Sequence, residues 1–133
     1  MTALQKQAWY CLAVIAATCV ALAALYPVLG SKASVAFSIL ALIAFSVFFY
    51  SKRGKRIVWD ERDTLIQRRA NTLAYTVLWL AFVTAALLAP TYYGRDVPTA
   101  AVQNSVWVAF MILYAVQSIA VLAQYRSGAI HAE

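Results

Sequence analysis

Three carboxylates and an arginine stand together at Asp60-Glu61-Arg62-Asp63. Acids beside a guanidinium are raw material for general acid–base chemistry. Such a site also needs a histidine, an activated nucleophile or a metal-ligand set, and the neighbouring residues supply none. The same residues have a simpler use. Asp60 is a good helix N-cap, and acids in a first turn suit the positive end of the helix dipole. Cys11 and Cys19 lie eight residues apart in one apolar segment, about 12 Å along a helix, too far to form a disulfide with each other. His131 stands two residues from the end of the sequence, without the second ligand that a haem or zinc site requires. No enzyme, metal or cofactor chemistry follows from these groups.

Polar side chains within apolar stretches form a second group. Gln103, Trp107, Phe110, Tyr114, Gln117, Val121 and Gln124 recur at alternating steps of four and three, the repeat of a helix-packing seam. Asn104 and Ser118 lie beside it. Asn71, Tyr75, Trp79, Phe82 and Ala86 make a matching seam on the preceding apolar segment. An unpaired amide in hydrocarbon costs several kcal/mol, so both seams are expected to face the interior of the fold. There they serve as hydrogen-bonding glue or line a pocket for a small molecule or lipid. Tyr114, with Gln117 and Ser118 beside it, has no base to activate its hydroxyl.

The third group is basic. Lys52-Arg53-Gly54-Lys55-Arg56 puts four cations in five residues, each contributing about 1 kcal/mol beside anionic lipid headgroups. The chain carries a formal net charge of +6. Its cations flank apolar segments, as membrane topology requires, and no nucleic-acid-binding module accompanies them.

The elements that position these groups follow from hydropathy. Of 133 residues, 64% are hydrophobic and 12% charged, against about 25% charged in a soluble domain. Apolar stretches cover residues 8–29, 33–50, 72–89 and 99–125. Each is long enough to cross the ~30 Å hydrocarbon core as a helix. The first is too long for the apolar core of a signal peptide and no polar stretch follows it, so it reads as a span. Gly30-Ser31-Lys32 is a tight turn that sets the second helix beside the first. The glycines and prolines fall at segment ends, which argues for uninterrupted helices.

From Asp60 the helical spacing continues into the third span, predicting one long helix over 60–89 whose first turns lie outside the hydrocarbon. Trp59, Ile66, Ala70 and Leu73 are expected on one face; Arg62 and Arg69, on a neighbouring face, are placed to pair with acids of another helix. Small residues at Ala13, Ala17, Ala21 and Ala24, and at Ser34, Ser38 and Ala41, would allow close helix approach within the chain or between copies. The expected fold is all-α: a single transmembrane domain over 1–133, an antiparallel four-helix bundle with the third helix extended into the cytoplasm.

Nine Lys and Arg fall on the side of the N-terminus, the middle loop and Arg126, and two, Lys32 and Arg95, on the other. The positive-inside rule puts both termini and the loop in the cytoplasm. Trp9, Tyr10, Tyr50 and Tyr125 mark the inner interface; Tyr26, Tyr92 and Tyr93 mark the outer one.

Asp60-Glu61-Arg62-Asp63, followed by Ile66, Arg69 and Ala70 and an apolar helix, resembles the hallmark of a family of small bacterial and archaeal membrane proteins catalogued as a domain of unknown function. The resemblance covers the middle loop and third helix. It implies a four-helix protein of a prokaryotic cytoplasmic membrane and brings no catalytic residue, ligand or cofactor.

No Asp, Glu, Lys, Arg or His lies within the four spans, and cation-coupled transporters usually keep a charge at membrane depth. The expectation is therefore a non-enzymatic accessory, regulatory or binding protein. Its surfaces would be Lys52, Arg53, Lys55, Arg56, Asp60, Glu61, Arg62, Asp63 and Arg69 at the membrane surface. Within the membrane they would be Asn71, Tyr75, Trp79, Gln103, Trp107, Tyr114, Gln117 and Ser118. Anionic lipids and a protein partner or second copy are the expected partners. A small-molecule or lipid transporter, or a channel formed by oligomerisation, is the alternative.

Overall fold

The computed structural model describes residues 2–49, 61–94 and 96–127. Four helices follow in chain order: the first over Ala3–Leu29, the second over Gly30–Phe49, the third over Glu61–Tyr93 and the fourth over Thr99–Arg126. Lys52, Arg53, Lys55, Arg56, Trp59 and Asp60 lie outside the described residues, as do Tyr50, Arg95 and His131.

The first helix begins five residues ahead of the expected apolar stretch, at Ala3 rather than residue 8. A capping box explains the early start. The Thr2 hydroxyl accepts the Gln5 N–H at 3.3 Å, and the Gln5 side chain accepts the Thr2 N–H at 2.9 Å. The helix passes Pro27 in its last turn and ends at Gly30, whose N–H bonds the Tyr26 carbonyl. Gly30 has φ +54° and an added Cβ would meet nothing within 4 Å, so the demand for glycine there is conformational rather than spatial.

The second helix differs from expectation in kind. It is a 3₁₀ helix of 20 residues, where an α-helix over 33–50 was expected, and 3₁₀ runs of such length are uncommon. Its buried residues are Ala33, Ala36, Phe37, Leu40, Ile43 and Ser46. With three residues per turn, positions i and i+3 stand in line, and from Phe37 to Ser46 every third residue is buried. This straight stripe packs Phe37, Leu40 and Ile43 against Cys11, Val14 and Ile15 of the first helix. Ser38 and Ala41 fall off the stripe and are exposed, so they take no part in the packing of this helix on the first. Ala13, Ala17 and Ala24 of the first helix are exposed too.

The third helix runs unbroken for 33 residues from the polar stretch through the apolar one, as the spacing predicts. It does not stop before Pro90 but continues to Tyr93. Close to the end, the proline forfeits a single backbone bond, and the Gly94 N–H closes the last turn on the Pro90 carbonyl at 3.0 Å. The fourth helix follows Pro98 at its N-cap and runs for 28 residues.

Three of these helices, the first, third and fourth, are long and apolar enough to cross a membrane; the apolar part of the second, Lys32–Ser46, is shorter. The first helix packs against both the second and the fourth, and the third packs against the fourth. The second and third helices do not form a packed pair. Large apolar side chains remain exposed along the chain, among them Val28, Val35, Leu80 and Leu87. Such a surface is at home in lipid and not in water.

Beyond Ala74 the third helix has no buried residue among those described. Its seam therefore turns inward only at its start: Asn71 is half-buried, whereas Tyr75, Trp79, Phe82 and Ala86 are exposed. The residues that do bury are Ile66, Ala70 and Ala74, a face one step round from the seam; Leu73, expected with them, is exposed.

Candidate functional site

Three helices meet near the end of the molecule that carries Thr2 and Arg126. Leu4 and Ala8 of the first, Ile66 and Ala70 of the third, and Ala120 and Val121 of the fourth form one buried cluster. Polar groups cover it. The Gln124 amide donates to the Ile66 carbonyl at 3.5 Å and to the Ala120 carbonyl at 3.2 Å.

The acidic motif joins this junction through the fourth helix. Tyr125 donates its hydroxyl to the Asp63 carboxylate, and the Arg62 guanidinium lies over the Tyr125 ring, 5.9 Å from its centroid. Arg62 was expected to pair with an acid of another helix; its cross-helix contact is this aromatic face, and its Nε is buried without a hydrogen-bond partner. Cation and carboxylate thus grip one side chain from two sides. Glu61, Arg68 and Arg69 are exposed on the same turns. Tyr125→Phe, which removes only the hydroxyl, is expected to destabilise the fold by about 1.5 kcal/mol. Thermal unfolding in detergent, compared with wild type, checks this.

Next to the junction lies a chamber of about 290 Å³ walled by all four helices. The first helix gives Gln7 and the second gives Ser46. The third contributes Asn71, Ala74 and Tyr75, and the fourth Leu113, Tyr114 and Gln117. Gln7 Nε2 donates to Ser46 Oγ at 3.4 Å across one wall, and Tyr75 stands exposed at the rim. A separate space of about 10 Å³, just large enough for one water, shares Gln7, Tyr114 and Gln117 and is closed by Cys11 and Ser118. The described lining of the chamber holds three primary amides, two phenols and a hydroxyl, and no Asp, Glu, His, Lys or Arg. Such a set can hold and orient a polar molecule through its donors and acceptors.

Of the expected intramembrane residues, the fold brings Asn71, Tyr75, Tyr114 and Gln117 into this chamber and Ser118 into the space beside it. The other three lie elsewhere. Trp107 stacks on Phe37 of the second helix, centroids 6.0 Å apart and planes at 9°. Trp79 is exposed, edge-on to Phe82 at 6.0 Å, and Gln103 is exposed. Gln7 and Ser46 were not in the expected set. Gln7 fell just ahead of the assumed start of the first span, and Ser46 was an isolated hydroxyl without a seam of its own.

Comparison with known proteins rests on one match. The model of a family described as "Predicted membrane protein (DUF2178)" matches residues 5–125. The chain belongs to the DUF2178 family. The matched stretch takes in the capping glutamine Gln5, the acidic motif, every chamber residue and Tyr125. The expected membership in a membrane-protein family of unknown function is thereby met, and it extends over nearly all of the sequence instead of the middle loop and third helix alone. No curated protein and no solved structure matches the chain.

Proposed function

We propose that this DUF2178 chain is a non-enzymatic binding and accessory protein of a prokaryotic cytoplasmic membrane, with both termini and the basic loop in the cytoplasm. The observation that carries this reading is the uncharged polar chamber, built by all four helices at one end of the molecule. A pocket whose described lining is amides, phenols and a hydroxyl is suited to binding more than to catalysis.

The topology belongs to the proposal. Contacts run in opposite chain directions within each pair, Gln7 to Ser46 and Tyr10 to Leu42, and Asp63 to Tyr125 and Ile66 to Gln124. This supports two antiparallel hairpins side by side. At ~2.0 Å per residue, Lys32–Ser46 in 3₁₀ form covers roughly 30 Å, the thickness of the hydrocarbon core, which supports a fourth crossing. The excess of Lys and Arg on one side supports the orientation.

Under this reading the exposed Glu61 and Arg69, together with the basic loop, meet a cytoplasmic partner or anionic headgroups. Arg62 and Asp63, held by Tyr125, position that surface. Affinity purification of the intact protein from native membranes in mild detergent, with mass spectrometry of bound proteins and lipids, tests it. A stoichiometric partner or a retained lipid is expected. The double substitution Glu61→Lys, Arg69→Glu is expected to remove a protein partner at least tenfold while leaving membrane insertion unchanged. A chain recovered with neither partner nor lipid refutes the reading.

A further inference from the structure

We propose that the four-helix chamber binds the head of an uncharged lipid, one bearing carbonyl or hydroxyl oxygens, whose tail lies in the bilayer; this rests on reading the chain as a membrane-embedded binding protein. Charge is the first argument. Gln7, Asn71 and Gln117 offer amide donors and acceptors, and Tyr75, Tyr114 and Ser46 offer hydroxyls. Every one is neutral. A phosphate brought here would be stripped of water with no cation among the described lining residues to face it, which is costly. Carbonyl and hydroxyl oxygens, by contrast, are fully served by such a lining.

Size and access make the second argument. At about 290 Å³ the chamber is at the small end of ligand pockets, enough for a headgroup and not for a whole lipid. Its described walls include Ser46 of the second helix and Asn71 and Tyr75 of the third. Tyr75 lines the chamber and is itself exposed, so the chamber is reached beside the third helix. A tail leaving there meets the exposed apolar flank of the third helix, Trp79, Leu80 and Val83, which already faces lipid. Ala74 and Leu113 supply apolar contact inside, so the site suits an amphiphile better than a free polar solute.

The test uses purified full-length protein in phosphatidylcholine nanodiscs carrying one probe at a time: diacylglycerol, a prenylated quinone or phosphatidylglycerol. Native mass spectrometry reads what each chain retains. One uncharged probe per chain is expected, favoured over phosphatidylglycerol by roughly tenfold or more, and Asn71→Leu with Gln117→Leu should lower retention by roughly tenfold or more. Which uncharged probe is held assigns the head chemistry. Tyr75→Phe with Ser46→Ala, which keep the shape of the lining, serve as a second pair should the leucine variants not fold, with retention expected to fall by roughly threefold or more. The inference is overturned if neither uncharged probe is held, if phosphatidylglycerol is held as well as they are, or if retention ignores the substitutions. A protein partner from native membranes together with no retained probe would leave the binding-protein reading standing and remove this one.

Discussion

Ile66→Ala is expected to cost the folded protein about 2–5 kcal/mol, seen as a lower midpoint of reversible unfolding in mixed micelles. Ile66 is 0% exposed and packs with Leu4, Ala8, Ala120 and Val121 where three helices converge. Truncation leaves a void that small neighbours such as Ala8, Ala70 and Ala120 have no reach to fill. The backbone oxygen of the same residue takes the Gln124 amide, so a shift of the third helix toward the void also loosens that bond. Ile66 precedes the apolar stretch of its helix, among the polar and charged residues Asp63, Gln67 and Arg68. A loss below about 1 kcal/mol would mean that the junction is not packed as described.

Ala70→Leu tests the same place from the other side. Ala70 is 0% exposed and sits in the cluster with Leu4, Ala8, Ala120 and Val121, which leaves no room for added carbons where the third helix meets the first and fourth. Overpacking of this kind costs about 1–3 kcal/mol, and separation of the helices should also relax the Gln124 contact. Leu87→Ala is the paired control. At 73% exposure its side chain faces lipid, whose tails are as apolar as leucine, so stability should change by less than about 0.5 kcal/mol. Equal effects at positions 70 and 87 would contradict the helix arrangement.

The order and rough extent of the helices were legible because composition switches sharply at residues such as Gly30 and Pro98. The early start of the first helix was also written in the chain, as Thr2 followed three residues later by Gln5, but hydropathy alone overlooks a polar cap. The 3₁₀ form of the second helix was not legible. Nearly every residue from Ala33 to Phe49 is apolar or small, so no polar face exists to reveal whether the period is three or 3.6. The seams were half legible for a related reason. Spacing says which residues share a face, and only the neighbours decide where along a helix that face is covered. The fourth-helix seam is covered from Phe110 onward, whereas the third helix turns Ile66, Ala70 and Ala74 inward and leaves Trp79 to lipid. Gln7 and Ser46, distant in sequence, became a pair through a turn at Gly30 that brings their helices together.

The second helix also solves a problem of equal lengths. It has 20 residues against 27 in its partner, yet at ~2.0 Å per residue it reaches roughly 40 Å, the same as the first helix at ~1.5 Å. Neither member of the hairpin overhangs the other, so the shorter segment brings the chain back level with the start of the first helix. Each residue there carries a third more reach than one in the first helix. Trimming this segment would therefore shift the anchoring of everything that follows more than the same deletion would in the first helix.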